Sequence, residues 1–125
     1  MVAAPVGGAR DRAVHSRLVE GYAEIAPREL EERLQARGAP ALLDVREPWE
    51  HELAAIPGSR LIPMNELEAR VGELDPGREV VVYCHHGIRA AAVVQWLRRQ
   101  GVAAINLRGG IDAWAVEVDP GVPRY

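Results

Sequence analysis

The sequence predicts an α/β domain built on a mostly parallel β-sheet. Short apolar runs rich in Val, Ile and Leu have the length of buried strands, and segments with apolar residues three or four apart have the period of helices. The two kinds of segment alternate along the chain, which favours parallel strands joined by helical crossovers. With 125 residues and 48% hydrophobic residues, the chain has the size of one domain with an ordinary core.

Pro27 begins the first clear helix. Proline fits the first turn of a helix, Leu30 and Leu34 lie on one face of it, and Gly38 ends it. A strand is then predicted over residues 41–45.

The middle of the domain is expected to hold a second helix and a short strand. Pro48 suits a helix start, and residues 56–58, Ile-Pro-Gly, are a turn signal. Residues 61–63 predict a short strand. Asn65 is expected to cap the next helix, whose buried face holds Leu67, Val71 and Leu74.

The last third of the chain has the clearest pattern. An unbroken apolar run, residues 80–83, predicts a buried strand, and residues 90–99 have the pattern of a helix. A final strand is predicted over residues 103–107. Gly109 and Gly110 then begin a short closing segment, where we expect them to serve turn geometry.

Composition and charge exclude several classes of function. The net charge is -3 and the arginines are scattered, so no nucleic-acid partner is predicted. No segment approaches the length of a membrane span, and the single cysteine cannot form an internal disulfide. We therefore expect a soluble cytoplasmic protein, with residues 1–20 as a leader or short helix and residues 21–125 as the domain.

The most informative segment is the loop that holds the only cysteine. Cys84 falls at a predicted strand-to-helix turn, where free backbone N–H groups and the helix dipole stabilise a thiolate. Arg89 adds a permanent cation whose planar set of donors suits an oxyanion. The pattern predicts a nucleophilic thiolate on Cys84 within an anion cradle formed by His85, His86, Gly87, Ile88 and Arg89.

Two other strand ends carry polar residues. Asp44 and Arg46 close the predicted strand near residue 44, and Arg108 follows the last strand. Ligands of parallel sheets bind beyond the carboxyl ends of the strands, so these residues are expected to lie on the same rim as Cys84. Asp44 and Arg46 are predicted to support the loop, with a simple surface ion pair as the alternative.

Four motifs follow one another over about residues 25–114. They are Asp44-Val45-Arg46-Glu47 with Glu50, then Ile56-Pro57-Gly58-Ser59 with Ile62-Pro63, then residues 83–89, and finally residues 109–114. In this order they resemble the rhodanese-like sulfurtransferases. The chain departs from that family's pattern at Ala90, where many members carry Ser or Thr, and at Ala54-Ala55, where a Gly-His pair is common.

The resemblance implies a five-stranded parallel sheet with helices on both faces. It also implies transfer of a sulfane sulfur from thiosulfate or a persulfide donor to cyanide, a thiol or an acceptor protein. A persulfide on Cys84 is the implied carrier, and neither a cofactor nor a metal ion is required.

Other functions stay open. A sulfur-relay carrier that docks on a partner protein would use the same residues, whereas a non-catalytic binding module usually lacks the cysteine. Phosphatases that share this fold place five residues between Cys and Arg. This chain places four between Cys84 and Arg89, which favours sulfur chemistry over phosphate or arsenate chemistry.

Individual residues also have plainer interpretations. Cys84 alone could be an inert buried side chain, and Arg89 a solvated helix residue, although we expect Arg89 to act on anion binding more than on folding. His85 and His86 are expected to tune the charge of the loop, to contact substrate or to face solvent. Three consecutive donors disfavour a metal site. The three tryptophans are expected to serve packing.

Overall fold

The computed structural model describes residues 23–125, so the leader predicted over residues 1–20 lies outside the described residues. The strands are β1 Glu24–Ile25, β2 Ala41–Asp44, β3 Arg60–Leu61, β4 Val80–Tyr83 and β5 Ala104–Leu107. They form one sheet in the order β1-β5-β4-β2-β3, and every pairing between them is parallel. The predicted α/β class is confirmed, and within the described residues the sheet is wholly parallel.

Helices cover both faces of the sheet. Right-handed crossovers place the helices after β1 and β2 on one face and those after β3 and β4 on the other. The helix after β5 packs against the first helix. The helices are α1 Pro27–Leu34, α2 Pro48–Leu53, α3 Leu67–Arg70, α4 Ile88–Arg99 and α5 Gly110–Glu117, with single 3₁₀ turns at Met64–Glu66 and Val71–Glu73.

None of the helices within residues 23–125 has both the length and the apolar character needed to cross a membrane.

The central strand β4 sets where the loops meet. All four of its residues are buried, as expected for a parallel strand covered on both faces. Asp44 of β2 pairs in register with Tyr83, and Asn106 of β5 pairs with Val82. Because the strands are parallel, the loops that follow β2, β4 and β5 leave the same edge of the sheet. The predicted rim therefore exists, and the loop with Cys84 lies between the loops that follow β2 and β5.

Two elements differ from the sequence predictions. Strand β1 was not predicted, because two residues at the edge of a sheet show no periodicity. Asn65 was predicted to cap a helix, which is wrong, since it lies inside the 3₁₀ turn and makes no side-chain capping bond. Helix α2 instead begins with an unpredicted capping box, in which Glu47 and Glu50 each bond the other's backbone N–H.

The start of α5 lies directly against the loop that follows β4. The N–H of Ile111 donates to the carbonyl of Cys84 at 2.9 Å, and that of Asp112 donates to the carbonyl of His85 at 3.1 Å. A Cβ atom on Gly110 would lie 2.3 Å from the His85 carbonyl oxygen and 2.5 Å from that of Cys84. Gly110 is therefore required by this backbone contact as well as by its φ of +66°.

We predict that Gly110→Ala destabilises the domain by about 2 kcal/mol or more, since it combines an overpacked contact with a strained φ. Thermal unfolding of the purified variant measures this. Gly72→Ala is the matched control, because a Cβ there meets nothing within 4 Å and the backbone is not in the left-handed region. Equal unfolding temperatures for the two variants would show that α5 can move away from the loop without loss of stability.

Candidate functional site

Cys84 lies at the turn between β4 and α4, as predicted from the sequence. The residue is buried, with 1% of its surface exposed. The backbone N–H groups of Gly87 and Ala90 point at its Sγ, at 3.1 Å and 3.3 Å. These amides belong to the start of α4, where N–H groups have no partner within the helix. The arrangement stabilises negative charge on the sulfur.

The shape of the loop depends on Gly87. Its φ of +100° lies in the left-handed region, and a Cβ there would lie 3.3 Å from the backbone nitrogen of Gly109. Asn106 of β5 donates from Nδ2 to the Gly87 carbonyl at 3.2 Å. Strand β5 thus fixes the carbonyl of Gly87, while the N–H of Gly87 faces Cys84. Asn106 was missed by the sequence analysis, since nothing in an apolar strand pattern marks one polar residue as a loop anchor.

The five residues predicted as an anion cradle take different positions. Among them, the backbone of Gly87 contributes a hydrogen bond to the sulfur. The second such bond comes from Ala90, which was not predicted. Ile88 is 81% exposed, so its side chain faces solvent beside the loop.

Arg89 forms a two-bond ion pair with Glu50 of α2. Nη1 donates to Oε2 at 2.8 Å and Nη2 donates to Oε1 at 3.0 Å. The side chain of Arg89 is 38% exposed, whereas that of Glu50 is 4% exposed. The hydrogen bonds from Arg89, together with one from the Glu47 backbone, lower the pKa of Glu50 to about 2.

This pairing gives Arg89 a structural contact that the sequence did not indicate, whereas the predicted action of Arg89 on anion binding more than on folding stays a prediction. The charge of Arg89 is balanced by a carboxylate, and the buried carboxylate depends on Arg89 for compensation. A guanidinium has five N–H groups, so three remain for an anion while two hold Glu50. Glu50 belongs to one of the sequence motifs, but nothing in the sequence marked it as the partner of Arg89. The Glu-Pro-x-Glu spacing of a capping box would have indicated its inward position.

Asp44 and Arg46 form a second ion pair, directly after β2, with no exposed side-chain surface. Arg46 donates to Asp44 from Nε at 2.8 Å and from Nη2 at 2.6 Å, and also to the carbonyl of Ala54 at 2.5 Å. Burial acts to lower the pKa of Arg46, but its bonds to Asp44 and Tyr125 raise it above the usual value. The surface ion pair considered above is therefore wrong, since this pair lies in the core.

Tyr125 joins the two ion pairs. Its hydroxyl accepts from Nη1 of Arg46 at 2.6 Å and donates to Oε1 of Glu50 at 2.7 Å. Burial and the bond to Glu50 raise the pKa of Tyr125 to about 12, so the hydroxyl keeps its proton at neutral pH. Trp49, which is 60% exposed, meets the Tyr125 ring edge-on. No motif marked Tyr125 in the sequence.

His85 lies between two rings. Its imidazole is 3.9 Å from the Tyr125 ring, with an angle of 4° between the planes, and 3.9 Å from the His86 ring, at 25°. Burial, and secondarily the nearby His86, lower the pKa of His85, so this ring is neutral at pH 7. His86 is largely exposed and lies 4.0 Å from the Asp112 carboxylate. The predicted contact of either histidine with substrate stays a prediction.

One group within residues 23–125 places metal ligands near one another. Ligand atoms of His85, His86 and Asp112 lie within 4.8 Å. The two imidazole planes are stacked, so their nitrogen lone pairs run side by side instead of converging on one ion. Both carboxylate oxygens of Asp112 accept from Arg124, at 2.9 Å and 3.2 Å. This arrangement fits a metal ion poorly, and the expectation of no metal stays a prediction.

A family profile, the sequences of relatives and solved structures all match this chain to the same family. The profile of the rhodanese-like domain matches residues 26–117. A sulfurtransferase from Allochromatium vinosum is 38% identical over 93 residues, which cover 74% of this chain and 87% of that protein. A solved structure of a rhodanese-related protein from Thermoplasma volcanium is 35% identical with a TM-score of 0.74, over 83% of this chain and 100% of the other.

Longer relatives contain a matching region as one part. The probable adenylyltransferase/sulfurtransferase MoeZ of Mycobacterium tuberculosis is 36% identical over 104 residues, or 81% of this chain. The chain spans 26% of the length of that protein and 30% of a plant protein with a rhodanese-like domain.

We predict that Arg89→Ala destabilises the domain by about 1 kcal/mol at neutral pH, because Glu50 loses its countercharge. In the wild type, the lowered pKa of Glu50 contributes stability above pH 4.5, and this contribution is lost as the pH falls from 4.5 through about 2. Thermal unfolding as a function of pH should show a smaller acid-linked loss in the variant.

The double variant Arg89→Ala with Glu50→Gln is the matched control, because it removes the unpaired charge as well as the cation. It should regain much of the stability lost in the single variant and should lack the acid-linked loss. A single variant as stable as the wild type at every pH would mean that Arg89 does not compensate Glu50.

Proposed function

This chain belongs to the rhodanese-like domain family, and we propose that it transfers a sulfane sulfur through a persulfide on Cys84. The observation that carries the proposal is the pair of backbone N–H groups, from Gly87 and Ala90, aimed at the only sulfur nucleophile of the chain. They stabilise the thiolate before the reaction and the negative charge that returns to Sγ after it. The sulfurtransferase name of a relative of similar length supports the same chemistry.

In the first half of the reaction, the Cys84 thiolate attacks the outer sulfur of thiosulfate. A bond forms between Sγ and that sulfur, the S–S bond of thiosulfate breaks, and its electron pair leaves with sulfite. Arg89 lies in the first turn of α4, directly after the loop. Its three N–H groups that do not bond Glu50 suit the sulfonate oxygens of the donor. The product is Cys84 carrying one extra, negatively charged sulfur.

In the second half, a nucleophilic acceptor attacks the outer sulfur of the persulfide. Cyanide becomes thiocyanate, or a thiolate becomes a persulfide, and the electron pair of the broken S–S bond returns to Cys84 as thiolate. Splitting the transfer in this way divides one difficult step into two easier ones. We propose small-molecule donors and acceptors, a reducing cytoplasmic setting for the free thiol, and no cofactor.

A sulfur relay to a partner protein is the second candidate. It is favoured by relatives such as MoeZ, whose name joins an adenylyltransferase to a sulfurtransferase and of which this chain spans 26%. A thiolate of a partner protein would then attack the outer sulfur of the same Cys84 persulfide, and the electron pair of the broken S–S bond would return to Cys84. A non-catalytic binding module is disfavoured, since the thiol and the amides around it are both present.

We predict that incubation with thiosulfate adds a single sulfur atom to the protein, detected by intact mass spectrometry. Cys84 is the only cysteine, so Cys84→Ser should show no addition. Cyanide should then remove the added sulfur from the wild type as thiocyanate. Continued sulfur transfer by the serine variant would disprove the persulfide mechanism.

We also predict robust turnover of thiosulfate and negligible hydrolysis of an aryl phosphate. Four residues separate Cys84 from Arg89, and a loop with one residue fewer than that of the phosphatases misplaces a tetrahedral phosphate relative to the sulfur. A displacement of about 1 Å can reduce a rate on the order of a hundredfold. Faster hydrolysis of the ester than transfer of sulfur, with loss of both in Cys84→Ser, would assign the site to phosphate chemistry.

A further inference from the structure

We infer that Tyr125 is a positioning residue for the sulfur donor, acting through Glu50 on the orientation of Arg89. The inference rests on the proposed function, since it concerns how the anionic donor is held. Tyr125 lies outside residues 26–117, the range that the family profile matches, so the family motifs do not indicate this role.

The hydroxyl of Tyr125 completes the hydrogen bonding of Glu50. Each oxygen of Glu50 accepts two hydrogen bonds: Oε2 from Arg89 and the Glu47 backbone, and Oε1 from Arg89 and Tyr125. The shortest of the four is the bond from Tyr125, at 2.7 Å. Without it, Oε1 would keep only Arg89 as a partner, and the plane of the carboxylate would be less constrained.

A rigid group holds the hydroxyl in turn. Nη1 of Arg46 donates to it at 2.6 Å, and Arg46 is itself fixed in the core by Asp44 and the Ala54 carbonyl. A buried guanidinium whose three nitrogens all donate hydrogen bonds has few alternative positions. The hydroxyl therefore connects a fixed ion pair in the core to a more exposed ion pair at the site.

The orientation of Arg89 matters because its donors are planar. Two of its N–H groups hold Glu50, and the direction of the remaining three follows from the plane of that pair. Donors that are fixed before binding stabilise an anion better than donors that must be ordered by it. The site should therefore lose affinity for the sulfonate group when the Tyr125 hydroxyl is removed.

The ring of Tyr125 allows the hydroxyl to be tested separately. It stacks on His85 at 3.9 Å with the planes 4° apart, so Tyr125→Phe keeps this contact while it removes both hydrogen bonds. Tyr83→Phe is the matched control, because the Tyr83 hydroxyl bonds Ser59 and the backbone of Ile56, away from Arg89. The control loses a buried hydroxyl of the same kind and reports the effect of lost stability alone.

Tyr125→Phe should lower kcat/KM for thiosulfate about five- to tenfold, the effect expected when one typical intramolecular hydrogen bond is lost. The loss should be smaller for methanethiosulfonate, a donor with one negative charge fewer. The kcat/KM for thiosulfate divided by that for methanethiosulfonate, the donor ratio, should therefore fall. Tyr83→Phe should reduce thermal stability and leave that ratio unchanged. Direct titration of thiosulfate into the Cys84→Ser protein should show weaker binding when Tyr125→Phe is added.

A double-mutant cycle with Glu50→Gln tests whether Tyr125 acts through Glu50. If Tyr125 acts through Glu50, Tyr125→Phe should have little further effect in the Glu50→Gln background. An unchanged donor ratio and unchanged thiosulfate binding in folded Tyr125→Phe, or a full effect that persists in Glu50→Gln, would overturn this inference. Absence of sulfur transfer in the wild type would instead refute the proposed function.

Discussion

The guanidinium of Arg46 has no exposed surface, and burying a cation is costly unless its charge is paired and its nitrogens donate hydrogen bonds. Asp44 supplies the countercharge, and the Ala54 carbonyl and the Tyr125 hydroxyl accept further bonds. These partners come from β2, from the end of α2 and from the segment after α5. Matching one buried cation therefore fixes three separate parts of the chain against one another, next to the edge where the loops converge.

Beside this ion pair, the cysteine loop is held mainly through its backbone. The carbonyls of Cys84 and His85 accept from the first turn of α5, and the carbonyl of Gly87 accepts from Asn106. Acceptors therefore face the surrounding elements, and two donors are left to face the sulfur. Since these contacts use main-chain atoms of the loop, the exposed side chain of Ile88 is free to contact other molecules without affecting the cradle.

Local pattern was enough to predict most of the fold, because apolar runs, helix periods and Pro and Gly positions are read over a few neighbouring residues. It failed for β1, which is too short to show a period, and at Asn65, where a capping residue lies within a 3₁₀ turn. Strand ends correctly indicated that the loops after β2, β4 and β5 share one rim. Arg89 and Glu50 are 39 positions apart in the sequence, and Tyr125 and Glu50 are 75 positions apart. A pattern read over a few neighbouring residues cannot predict such pairings.

The depth of Cys84 has a consequence for selectivity between the two sulfurs of the proposed persulfide. A thiolate acceptor that attacked the inner sulfur would release hydrosulfide and leave a mixed disulfide on Cys84, so the sulfur atom would not be transferred. Two amides are directed at Sγ, and 1% of Cys84 is exposed, so in the proposed persulfide the inner sulfur is the less accessible of the two. Attack on the outer sulfur instead returns the electron pair to Sγ, where the amides of Gly87 and Ala90 stabilise it, so the contacts that hold the thiolate also favour transfer of the outer atom.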